Sequence, residues 1–140
     1  MEVALGGCPG GRLASYPIRN IKMENKMGPT DWLDQIEVII SNCDEHGITT
    51  FMNRRGSENF ARVGGYQFIG KSMIDCHPEG SVRDKFVKLM ESQKFNCYTI
   101  ERNGKKMLVY QTPLFKDGTF VGYNELILPI PETMPHFVRG

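Results

Sequence analysis

Three groups of side chains in this chain have the types and spacing to do chemistry. The first is Cys76-His77-Pro78 followed by Ser81, a thiol beside an imidazole just ahead of a helix start. Proline fixes φ and pushes the residue before it out of helical geometry, so His77 is expected to be extended, its side chain directed by the loop. The N–H groups opening the following helix make this end mildly electropositive, which would lower the Cys76 thiol and favour a neutral His77. Such a pair suits metal or haem iron, or an anionic ligand held near the helix start. The same residues suit better a loop histidine bonded to backbone and a cysteine serving as a small buried hydrophobe.

The second group lies on strands. Period two puts Met107, Val109 and Gln111 on one face of their strand, and Gly122, Asn124, Leu126 and Leu128 on one face of the next. If these are the inner faces, Gln111 and Asn124 are amides in an apolar pocket, and buried amides need partners. The partner is a ligand, or the two amides bond each other, Tyr98 or Tyr110. The third group is apolar: Phe86, Leu89 and Met90 at helical spacing, either core or the wall of a pocket. The candidate ligand-binding residues are thus Cys76, His77, Phe86, Met90, Met107, Val109, Gln111 and Asn124. No residue is a candidate for catalysis, because nucleophile elbow, phosphate-binding glycine loop and paired carboxylates are all missing. Zinc-ligand spacing is also missing, and the expectation is a protein that is not an enzyme.

The elements that must position these groups follow from pattern. Gly28-Pro29-Thr30-Asp31 reads as a helix start, and Trp32, Leu33 and Ile36 give that short helix an apolar side. Trp32 is expected to pack against the sheet or a second subunit. Residues 37–42 and 48–52 read as strands around a turn at Asp44-Glu45-His46-Gly47. Asn53 is placed to cap a helix that carries Phe60 and Val63 inward and stops at Gly64-Gly65. Ser81 is placed to cap the clearest helix, 82–92, with Val82, Phe86, Leu89 and Met90 on one side. Three strands follow, 95–102, 106–114 and 120–128, turning at Asn103-Gly104 and Lys116-Asp117-Gly118. Pro129, Pro131 and Pro135 end regular structure. This order predicts an α+β fold, an antiparallel sheet with helices over one face. The predicted organisation is a flexible segment over 1–28, one sensor-sized domain over 29–130 and a tail over 131–140.

Seventeen basic against sixteen acidic residues leave no basic surface for nucleic acid. The longest apolar run is too short for a bilayer span, and Glu2 stands where an export signal needs positive charge. The four cysteines form no Cys-x-x-Cys pair, so reduced thiols in a soluble, cytoplasmic protein are expected.

The order of elements, with Asp44-x-x-Gly47, Asn53, Gly70-Lys71-Ser72, Asp117-Gly118 and Gly122, resembles a PAS domain over about Asp31 to Leu128. The resemblance implies a five-stranded antiparallel sheet enclosing a ligand pocket or a dry core, in a module that commonly dimerises. Cys76-His77-Pro78 is similar to an element of some bacterial PAS segments. The flavin-reactive Asn-Cys-Arg-Phe run of light-sensing members is absent, Met73 falling in its place, so flavin photochemistry of that type is not expected. Helix 82–92 has no histidine for haem, which leaves His77 as the substitute ligand. Leu128-Pro129-Ile130-Pro131 replaces the usual Asp-Ile-Thr and its continuing helix. The implied function is a sensor that binds a small molecule or a protein partner between sheet and helices, as a homodimer signalling to another protein in trans. The alternatives are a ligand-free dimerisation and interaction module, or a haem sensor using His77.

Overall fold

Asp44 closes the first hairpin. In the computed structural model, which describes residues 27–77 and 79–140, its Oδ1 accepts hydrogen bonds from the main-chain N–H of His46 and of Ile48, both at 2.9 Å. Gly47 takes the positive φ that the turn requires, 79°. Strands β1 (Ile39–Asp44) and β2 (Thr49–Met52) pair antiparallel on either side. Asn53 then caps helix α1 (Arg54–Asn59), its side chain accepting from the Gly56 N–H at 2.8 Å.

Two 3-10 turns, Ala61–Val63 and Gly65–Phe68, carry the chain across the sheet. Helix α2 (Ser81–Ser92) follows, and then β3 (Asn96–Arg102), β4 (Lys105–Lys116) and β5 (Thr119–Pro129). The sheet order is β2-β1-β5-β4-β3, antiparallel throughout. The last three strands are consecutive hairpins, and β5 returns to pair with β1 and close the sheet's centre. Gly122 permits that closure. Its φ is 140°, and a Cβ there would run into the carbonyl oxygen of Cys43.

One face of the sheet carries the helices. Cys43, Met52, Phe68, Met73, Met90 and Tyr123 form the larger buried cluster, with Phe86 and Leu89 of α2 packed against it. Ile39, Val109 and Ile127 form a second cluster with Ile100 and Met107. The hydroxyl of Tyr123 donates to, or is shared between, the carbonyls of Leu89 (2.8 Å) and Lys94 (3.0 Å), which pins the end of α2 to β5.

Every strand begins and ends within two residues of its predicted position, and the α+β antiparallel architecture is the one expected. Three local expectations are corrected, and of the two packings expected for Trp32 the one against the sheet is not seen. Trp32 lies on a 3-10 turn (Asp31–Asp34) with half its surface exposed, its indole N–H donating to the Pro29 carbonyl at 2.9 Å. Val63 is exposed, because the chain leaves α-helical geometry after Asn59 and the 3.6-residue period ends with it. Val82 is exposed too, on the outer side of α2. Ser81 is the first helical residue rather than the cap; Gly80, at φ 129°, leads into the helix with no side-chain bond. Residues 130–140 carry no helix or strand. The expectation of a flexible start falls, but for Met27 and Gly28, outside the described residues. Among the described residues, no helix is long and apolar enough to cross a membrane.

Candidate functional site

Register across the sheet lines up four polar residues on the inner face. Ser41 of β1 sits opposite Glu125 of β5, Glu125 opposite Gln111 of β4, and Gln111 opposite Asn96 of β3. The carboxamide of Asn96 donates to Gln111 Oε1 at 2.8 Å, and Gln111 Nε2 donates to Glu125 Oε2 at 2.7 Å. The chain of bonds stops there. Ser41 is almost wholly buried, at 1% exposure, and its Oγ has no hydrogen-bond partner.

Between this row and α2 lies a cavity of about 20 Å³. Ser41, Gln111 and Glu125 supply its polar wall, and Cys43, Met73, Phe86, Leu89 and Tyr123 the rest. That is room for about one water-sized group. Burial raises the Glu125 carboxyl above the usual carboxylate range; the Gln111 bond acts against it first, and electrostatic interactions with His77 and Arg102 after that. Burial likewise pushes up the Cys43 thiol on the neighbouring strand.

The predicted site residues divide around this cavity. Gln111 and Phe86 line it, and Met90 is buried beside it, 4.0 Å from the Cys43 thiol. Met107 and Val109 are on the inner face but in the second cluster, away from the cavity. Asn124 is a correction. It pairs in register with Asn42 and Thr112 on the opposite face, and its Nδ2 donates to Asn42 Oδ1 at 2.6 Å. Inner and outer sets on β5 were interchanged by the sequence pattern, because the inner set (Tyr123, Glu125, Ile127) carries a charge and reads as the solvated one.

Cys76 belongs to a different place. It borders an open surface groove of about 530 Å³ with Phe68, Lys71 and Asp75, and its Sγ donates to the Met73 carbonyl at 3.0 Å. Its thiol is pushed up, by burial first and by Asp75 second, where the sequence predicted a lowered one. The helix N-terminus lies several residues off, and packing against the apolar cluster outweighs it. The His77 main-chain N–H donates to the Ile74 carbonyl at 3.3 Å, and the imidazole lies 6.1 Å from the Phe86 ring. Haem does not fit this site: a water-sized cavity lacks the space for a porphyrin, and His77 is not part of its wall.

Ser41, Asn96, Glu125 and Tyr123 were missed as site residues. The available signal was alternation on β5, where Tyr123 and Ile127 bracket Glu125 on one face.

No protein-family model and no curated protein sequence matches the chain. Solved structures do. A C-terminal domain from Streptococcus mutans superposes with a TM-score of 0.58 at 21% identity, covering 70% of this chain and 79% of that one. A sensory box sensor histidine kinase structure from Vibrio cholerae gives 0.53 at 14% identity, covering 74% and 90%. The PAS domain of Bordetella pertussis BvgS gives 0.52 at 17%, covering 72% and 82%. The fold is PAS-like. At these identities the likeness is one of fold, and the chemistry of this chain has to be read from its inner-face row and cavity.

Proposed function

We propose that this PAS-like domain is a sensory module that receives a small molecule between the inner-face polar row and α2. One observation carries the reading: a buried hydroxyl without a partner and the side chain of a partly buried glutamate line the same cavity. Native cores satisfy such groups, and a ligand would complete the set. The mechanical link is short. Tyr123, two residues along β5 from Glu125 and on the same face, holds the carbonyls of Leu89 and Lys94. A ligand that separates the row from Phe86 and Leu89 would shift α2, favouring one packing of that helix over another. The readout is through another protein in trans, with the domain acting as a homodimer; exposed Phe95, edge-to-face with Tyr110 at 4.5 Å between ring centroids, offers apolar surface for such contacts.

The competing reading is a ligand-free interaction module, favoured by how small the cavity is. Native mass spectrometry of gently purified protein separates the two. A mass above that of the chain, released on denaturation, supports the sensor. Bare chain mass, unchanged after incubation with cell metabolites, overturns it in favour of the interaction module.

A further inference from the structure

The polar row is complete at one end and open at the other. Asn96 and Gln111 are bonded, and so is Glu125 Oε2, but Glu125 Oε1 receives no hydrogen bond from any described residue. Nor does Glu125 form an ion pair with any described residue. Across the strand pair, Ser41 Oγ is buried and unbonded. Thr49 has a similar unbonded hydroxyl, yet it is not among the residues around the cavity. Two side chains with unused hydrogen-bonding capacity therefore line one water-sized space.

The wall of that space selects a ligand class. It contains no lysine, arginine or histidine, so nothing in the wall offers an anion a charge-assisted hydrogen bond beside the Glu125 carboxyl. A group that donates hydrogen bonds and carries positive charge satisfies both Ser41 and Glu125. The rings of Phe86 and Tyr123 in the same wall add favourable quadrupoles for a cation. We propose that the open end of the row binds the ammonium head of a small protonated primary amine, donating to Ser41 Oγ and Glu125 Oε1. This rests on the reading of the cavity as a ligand site. Ammonium itself matches the cavity; a longer amine would require Phe86 and Leu89 to give way, which is the motion that displaces α2.

Charge linkage follows from the same geometry. In the empty cavity burial raises the Glu125 carboxyl, and an ammonium head favours the carboxylate, so uptake releases protons over the range in which that raised carboxyl titrates. Affinity accordingly rises with pH until the amine itself deprotonates. The other titratable or charged groups acting here are His77 from the loop, Arg102 and Tyr98 from β3, and the Cys43 thiol from β1.

The test is a ¹H–¹⁵N titration of the full chain at constant ionic strength. The probes are ammonium and methylammonium chloride, with potassium and tetramethylammonium chloride as controls and acetate and acetamide as non-cationic probes. Ammonium and methylammonium are expected to shift the amides of Ser41, Phe86, Leu89 and Glu125, and to bind more tightly at pH 8 than at pH 6. Potassium and tetramethylammonium should leave those amides in place. Glu125→Gln should cost tenfold or more in affinity, and Ser41→Ala, which keeps the fold by removing an unbonded group, should also weaken binding. An equal response to potassium, or wild-type affinity in both variants, overturns the amine assignment. Shifts with acetate or acetamide but not with amines would sink the amine while leaving the ligand site standing; silence from every probe would remove both.

Discussion

Asn53 and Ser41 lie in the same part of the fold, each buried to 1% exposure, and they have opposite hydrogen-bonding fates. Asn53 Oδ1 accepts from the N–H of Ile40 at 3.0 Å and of Gly56 at 2.8 Å, while its Nδ2 donates to the carbonyls of Leu33 and Val38, both at 2.8 Å. That one amide ties the first 3-10 turn, β1 and α1 together. Ser41, next along β1 from Ile40, has an unbonded hydroxyl beside the partly bonded Glu125. A buried polar side chain with every capacity used is an architectural joint. One with capacity left over, on the wall of a cavity, is where this molecule has room for something else. The two regions share a strand, so the difference is not one of burial or of neighbourhood but of partner count.

The largest expected effect tests the joint. Asn53→Ala removes a helix cap and strands the buried Ile40 N–H and the carbonyls of Leu33 and Val38, so it should cost about 3–5 kcal/mol in denaturant unfolding. A loss below about 1 kcal/mol would mean that water replaces the amide, and the contrast with Ser41 would collapse.

A smaller effect is expected at Glu125, and it should depend on pH. Its carboxyl is raised in the folded state by burial. The folded protein thus holds this proton more tightly than the unfolded chain, and the stability that it contributes is full below the ordinary carboxylate value of about 4.3. It is lost as pH climbs from there through the raised folded value. Glu125→Gln removes the titration, so its melting temperature should gain on the wild type as pH rises from 4 to 8. Parallel curves over that range would show that the carboxyl is solvated, and the site would lose its buried charge.

Ser41→Ala should have the smallest effect, within about 1 kcal/mol of neutral and on the stabilising side, because it removes a buried hydroxyl that bonds nothing. A loss of 2 kcal/mol or more would place an unrecognised partner on Ser41 and make it a second joint.

Much of the fold was legible in the residues themselves. Asp44 with Gly47, Asn53 before a helix, Asn103-Gly104 and Asp117-Gly118 are local signals, read through bonds and dihedral angles within a few residues, and each turn or cap stands where they put it. The apolar side of α2 was legible for the same reason, since Phe86, Leu89 and Met90 recur at the helical period. Tertiary structure alone decided which face of β5 looks inward. Alternation has two phases, and Gly122-Asn124-Leu126-Leu128 is as plausible an inner set as Tyr123-Glu125-Ile127; only the pairing of Cys43 with Tyr123 and of Ser41 with Glu125 selects between them. It also decided that Cys76 faces a surface groove and that His77 leans on Phe86 rather than entering the cavity. Turns and caps close over short stretches of chain, whereas the row Ser41–Glu125–Gln111–Asn96 is assembled from four strands spread over 85 positions, and no local rule reaches across them.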